Sequence, residues 1–192
     1  MLTLIAGLIL FVGMHSVRIW APAWREAQIS RLGHTVWRGI HSLAALAGLW
    51  LIVRGFASAR SLPGLYWQLP YAMRHGIFLV MLLAFILLAA SQIPGTRFKQ
   101  RIGHPMDLGL VLWSGGHLLA NGRPADIVLF GAFFGWSLTL LLVSLKRDRA
   151  AGVSYPTGTI GRDLLAIAFG LLFWIAFLLF LHRQLIGIPL LG

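Results

Sequence analysis

The chain has 192 residues, of which 58% are hydrophobic and only 11% charged, and its mean hydropathy is +0.83. A helix needs about 20 apolar residues to cross ~30 Å of hydrocarbon, so this composition describes a membrane protein that crosses about six times and leaves no room for a soluble catalytic domain. With no cysteine in the sequence, disulfides, thiolate nucleophiles, iron–sulfur clusters, zinc–thiolate sites and covalently attached c-type haem are excluded. The formal charge of +11, from 16 basic against 5 acidic residues, would suggest nucleic acid in a soluble domain.

In chain order, apolar runs lie at Leu2 to Trp20, Gly39 to Ala57, Tyr71 to Ser91, Pro105 to Ala120, Pro124 to Leu145 and Leu164 to Leu181. All six are expected to be transmembrane helices, because helices satisfy every backbone polar group internally in lipid. The expected fold is all-α, a polytopic bundle of about six transmembrane helices forming one domain over residues 1–192. The first run has no basic stretch before it and ends in Arg18-Ile19-Trp20, so it reads as a first helix rather than a cleaved signal.

The basic residues sort by loop. Arg18, Arg25, Arg31 and Arg38 follow the first run, Arg97, Lys99 and Arg101 the third, and Lys146, Arg147, Arg149 and Arg162 the fifth. Only Arg54, Arg60, Arg74, Arg123 and Arg183 fall on the other side. The positive-inside bias makes the richer side cytoplasmic and places both termini on the outer side of the membrane. The charge excess is then met by anionic lipid headgroups, which attract juxtamembrane Lys and Arg by ~1 kcal/mol each. Membrane lipids are the expected partners, and nucleic acid is not.

Two helix starts can be read finely. Pro105-Met106-Asp107 and Pro124-Ala125-Asp126 each combine a proline suited to the first helical position with an acid suited to the N-terminal dipole. Asn121-Gly122 between them supplies a stop, so a connection of about three residues should make the flanking helices antiparallel neighbours. Helix-start roles are the first reading of both aspartates, with a functional role as the alternative. The longest connections are expected at Ala21 to Arg38 and Lys146 to Asp163.

Ionisable groups at membrane depth are costly and mark paired or functional positions. His15, His41, His75 and His117 fall inside apolar runs and His104 sits at a helix mouth. Neutral imidazole is the usual axial ligand of haem b, which makes haem b the first expected cofactor. Each histidine taken alone also fits an interhelical hydrogen bond. Gly115-Gly116 before His117 admits either a flat macrocycle or a neighbouring helix. By depth, His75 and His117 lie near the outer ends of their helices, and His15, His41 and His104 near the cytoplasmic ends. At ~1.5 Å per residue, His104 and His117 are about 19 Å apart, and depth alone favours His75 with His117.

Together, His15-Ser16, Arg74-His75, Gly103-His104-Pro105-Met106, the block from Trp113 to His117-Leu-Leu-Ala-Asn-Gly and Leu129-Phe130-Gly131 resemble the NnrU family. The resemblance runs over nearly the whole chain. It implies an integral bacterial membrane protein associated with nitrite and nitric oxide reduction in denitrification, whose partners are proteins of that system. The family is similar to plant 15-cis-zeta-carotene isomerases, haem b membrane enzymes that isomerise a cis double bond in a lipophilic polyene. That similarity implies His15 and His117 as the metal ligands, a lipophilic small molecule or nitric oxide as the small-molecule partner, and a haem-dependent isomerase if the protein is an enzyme. His75 stands as the substitute ligand, with Arg74, Asn121 and His104 as propionate anchors or supporting groups. The position after the tryptophan, Cys in those isomerases, is Ser114 here.

Two other classes stand beside this one. A non-enzymatic sensor or assembly partner of denitrification would bind the same haem. Gly103-His-Pro-Met-Asp-Leu-Gly109 is also similar to the Arg-His-Pro-x-Tyr-x-Gly segment of membrane methyltransferases that bind S-adenosylmethionine. The acidic residues and tyrosines of those enzymes are reduced here to Asp148 and Tyr155.

Overall fold

The computed structural model describes residues 1–70 and 73–191, apart from the side chain of Arg74. The elements are α1 (Leu2–Trp20), α2 (Pro22–Ala59), α3 (Arg74–Gln92), α4 (Arg97–Ile102), α5 (Pro105–Ala120), α6 (Pro124–Ala150) and α7 (Ile160–Ala176). The last of these passes through a π-turn, Phe177–Leu181, into α8 (His182–Ile186). Two isolated bridges, Gln68 with Asn121 and Thr96 with Thr159, are the extended pairings among the described residues, so the fold is all-α.

Within the described residues, 5 helices are long and apolar enough to cross a membrane: α1, α2, α3, α6 and the run Ile160–Ile186. The fourth expected span is α5, a helix of 16 residues, shorter than the ~20 that a perpendicular crossing takes. The expected first loop, Ala21 to Arg38, differs more. It is helical and belongs to α2, interrupted at Gly33, whose φ of 80° no other residue adopts cheaply. Hydropathy marks only the part of a helix that suits hydrocarbon, whereas Ala23, Arg25, Glu26, Ala27 and Gln28 are good helix formers in any setting. The second long connection shrinks likewise, since α6 runs to Ala150 and α7 begins at Ile160. Tyr71 and Ala72, which opened the third expected span, lie outside the described residues.

The chain forms two compact units, Met1–Trp67 with Gly122–Ala132, and Gln68–Asn121 with Phe133–Gly192. The first is built on a close crossing of α1 and α2. A Cβ on Gly7 would lie 2.6 Å from the Ile52 nitrogen, one on Gly48 2.8 Å from the Phe11 nitrogen, and one on Gly55 2.6 Å from Leu4 Cα. Small residues let backbones touch where lipid offers no hydrophobic drive, and the glycines are therefore structural. Away from this seam, Leu43, Leu46, Trp50 and Val53 of α2 are exposed on one helical face, as lipid contact requires.

In the second unit α3 is the spine on which α5 and α7 pack. Gly109 of α5 lies against Ala84 and Leu88, Gly116 against Val80 and Met81, and Gly170 of α7 against Ile86. The connections at one end are tied by caps. Thr96, fully buried, accepts from the Lys99 nitrogen at 3.1 Å to start α4, and Thr159 accepts from the Arg162 nitrogen to start α7. The Asp163 carboxylate accepts from the Arg97 nitrogen at 2.7 Å, and the Gln100 side-chain oxygen accepts from the Gly158 nitrogen at 2.9 Å. Pro105 and Pro124 open α5 and α6 as expected, each with its aspartate in the first turn. Asn121 ends α5, and the contact of Trp113 with Phe133, at 5.7 Å between ring centroids, makes α5 and α6 neighbours.

Candidate functional site

The histidines fall into separate settings. In the first unit, His15 donates its Nδ1–H to the Phe11 carbonyl at 2.7 Å, one turn back on α1. Its ring lies 4.3 Å from Phe11 and meets His41 of α2 edge-on at 5.0 Å. The glycine-packed seam thus ends in a pair of imidazoles. His41 was visible as an intramembrane histidine, but only the close approach of α1 to α2 gives it a partner.

In the second unit, His117 repeats the arrangement of His15. Its Nδ1–H is donated to the Trp113 carbonyl at 2.9 Å, with the two rings 5.1 Å apart. A neutral imidazole with Nδ1 protonated carries its lone pair on Nε2, and metal-bound histidines characteristically hold their other nitrogen on a carbonyl or carboxylate in this way. Two of the intramembrane histidines thus hold Nδ1–H on the carbonyl one turn back on their own helix. They belong to different units.

The glycines before His117 are taken up by packing. A Cβ at Gly115 would stand 3.1 Å from the Phe134 ring, and one at Gly116 would run into the Met81 methyl group. The helix-contact reading of that pair therefore holds. Ser114 is fully buried and donates its hydroxyl to the Leu110 carbonyl at 2.5 Å. Asn121 donates its side-chain N–H to the His117 carbonyl at 2.9 Å, which makes it the helix stop below His117 and ties it to the same backbone. His75, exposed at the start of α3, sits edge-on to Phe78 at 6.3 Å. The side chain of Arg74 lies outside the described residues.

His104 is placed elsewhere. Its Nε2 donates to the Asp148 carboxylate at 2.8 Å, and its Nδ1 lies 3.7 Å from Asp107. Tyr155 donates its hydroxyl to the same Asp148 oxygen at 2.6 Å, while Arg147 holds the other oxygen at 2.9 Å. Gly103 completes the arrangement: its φ is 77°, and a Cβ there would meet the Tyr155 hydroxyl at 2.5 Å. The hydrogen bond to Asp148 pushes the Tyr155 phenol up to about 12, because ionisation would set two negative oxygens against each other. The Gly-His-Pro segment is thus the clasp that fastens the 151–159 connection to the α4–α5 corner. Asp148 and Tyr155 reach His104 across separations of 44 and 51 residues, a contact that no local sequence pattern announces. Among the described residues, no group of three or more His, Asp or Glu side chains converges to hold a metal ion.

An all-helical chain with several apolar spans, exposed aliphatic faces and imidazoles held within its helices is a polytopic membrane protein. More narrowly, it matches the model of the family described as NnrU protein over residues 3–190, and the chain belongs to that family. No curated protein and no solved structure matches it.

Proposed function

We propose that this NnrU protein is a haem b protein of the bacterial inner membrane, with both termini periplasmic, and that His117 is an iron ligand. The observation that carries the reading is the Nδ1–H of His117 donated to the Trp113 carbonyl, the kind of bond that holds a metal-ligating imidazole in orientation. His15 has the same arrangement on Phe11, and similarity to the isomerases implies an iron-ligand role for it as well. The donor set fits iron porphyrin better than a bare ion, because single imidazoles suffice when the macrocycle supplies the other four nitrogens. When bound, the haem would supply redox and ligand-exchange chemistry, and the protein would set burial, access and ligand orientation.

The activity that follows is cis–trans isomerisation of a lipophilic polyene that enters from the bilayer. Detergent-solubilised protein, reduced and given a cis-polyene, should convert it to the trans isomer, and His117→Ala should not. A second reading is favoured by Ser114, whose hydroxyl is bonded to its own helix where the isomerases carry Cys. In that reading the protein senses nitric oxide or assists assembly in denitrification. Retained haem with an unchanged polyene, together with spectral binding of nitric oxide, would select it.

A further inference from the structure

One end of the first unit is closed by a helical segment that does not run with the spans. Along the glycine seam α1 and α2 are antiparallel, with Leu4 beside Gly55, Phe11 beside Gly48 and His15 beside His41. Arg18 is three residues past His15, and Arg38 three residues before His41, so the two guanidinium groups stand at one level. There both helices pass from apolar to charged sequence, which marks the edge of the hydrocarbon. At ~1.5 Å per residue, Ala21 lies ~4.5 Å beyond that level and Gly33 ~7.5 Å beyond it.

Residues 22–32 join those two points. Their helix is set off at Ala21, with φ −139° and ψ 54°, and at Gly33, with φ 80° and ψ 158°. The segment is ~16 Å long, whereas its ends differ in level by only ~3 Å. It therefore lies nearly perpendicular to the spans, just outside the hydrocarbon. The edge-on contact of Trp24 with Trp37, 5.7 Å between ring centroids, holds it against the start of the second span.

Its side chains divide as that position requires. Residues four apart share a helical face. Ile29 is buried and Arg25 half-buried, so their row faces the α1–α2 pair. Beside it runs the row Trp24, Gln28 and Leu32, with Trp24 and Leu32 exposed. On the far side Ala23, Glu26, Ala27 and Ser30 are all exposed. Exposed Arg18, Arg31 and Arg38 surround the segment, and Glu26, which pairs with Arg25, is the one acid in residues 1–67.

We propose that residues 22–32 are an interfacial helix that docks on the lipid surface. Trp24 and Leu32 enter the edge of the acyl layer, and Arg18, Arg31 and Arg38 meet anionic phosphates. The occupant is lipid because the connections at Ala21 and Gly33 hold the segment at the membrane boundary, where surface-lying helices combine tryptophan, leucine and arginine. A helix docked in this way sets the depth of the His15–His41 pair, about one turn inside the boundary. The proposal is independent of the haem reading.

The sequence has no cysteine, so single cysteines give unique spin-label sites. Gln28→Cys and Leu32→Cys report on the lipid row, and Ala23→Cys, Ala27→Cys and Ser30→Cys on the far row. All five leave the Trp24–Trp37 contact in place. In full-length protein reconstituted into phosphatidylcholine–phosphatidylglycerol vesicles, collisions with oxygen, which partitions into lipid, are compared with collisions with a water-soluble nickel chelate. The oxygen-to-nickel ratio should be high at both lipid-row sites and low at all three far-row sites, with no drift from Ala23 to Ser30. A ratio that climbs steadily along the segment, or a low ratio at all five sites, overturns the proposal. Low collision with both reagents on the lipid row marks a protein partner and overturns it too. In phosphatidylcholine alone the Leu32→Cys ratio should fall, and Arg18→Gln, Arg31→Gln and Arg38→Gln together should abolish that dependence on lipid. An equal ratio in both lipids overturns the assignment of anionic headgroups.

Discussion

His104 and Asp148, 44 residues apart in the chain, share a hydrogen bond of 2.8 Å. The bond closes the α5 start onto the last turn of α6, and Tyr155 locks it by donating to the same carboxylate oxygen. A motif that resembles part of a cofactor site in one class of membrane enzyme serves here to hold a corner.

Removing the acceptor should open that corner. In Asp148→Asn, one charged acceptor that serves His104, Tyr155 and Arg147 is replaced by a weaker neutral one. The expected result is faster tryptic cleavage at Arg149 in folded, detergent-solubilised protein. Cleavage as slow as in wild type would show that the connection is held without the clasp.

The same clasp predicts a pH window. The folded phenol of Tyr155 titrates near about 12, above the ~10 of an unfolded tyrosine. A raised value means that the bond contributes its full stability below pH ~10 and loses it as pH rises toward about 12. The difference in thermal midpoint between wild type and Tyr155→Phe should be constant up to pH ~10 and shrink above it. A difference that grows with pH would contradict the assignment of the hydroxyl as donor.

Gly55→Ala should separate α1 from α2, because the added methyl group meets Leu4 backbone rather than a movable side chain. Overpacking of this kind costs about 1–3 kcal/mol. Gly13→Ala, which meets nothing within 4 Å, should change stability by less than about 1 kcal/mol. Thermal unfolding in detergent measures both, and equal effects would remove the close crossing as a feature of the fold.

Thr96→Ala deletes a fully buried cap and should cost about 1–2 kcal/mol. Thr96→Ser keeps the acceptor and should recover most of that loss. A serine variant as unstable as the alanine one would assign the effect to the missing methyl group instead.

How much of this was legible follows from what a sequence encodes locally. The proline starts at Pro105 and Pro124 and the stop at Asn121 come from nearest-neighbour chemistry, and the structure places them as read. The helical character of Pro22 to Arg38 was missed because hydropathy tracks solvent and does not track backbone conformation. For the candidate site, each histidine was visible as a costly intramembrane group, and the resemblance selected His15 and His117. Their shared Nδ1–carbonyl arrangement depends on side-chain rotamers and needed coordinates. His41, Asp148 and Tyr155 gained partners only through contacts distant in sequence.

Haem ligation by His117 is the central claim, and the absorption spectrum of the purified protein, oxidised and then reduced, tests it most directly. The account predicts a Soret band with the reduced bands of haem b, near one haem per chain, and their loss in His117→Ala, with His104→Ala keeping the pigment. Colourless protein from haem-replete cells, or a His117→Ala variant with the full wild-type spectrum, would contradict it.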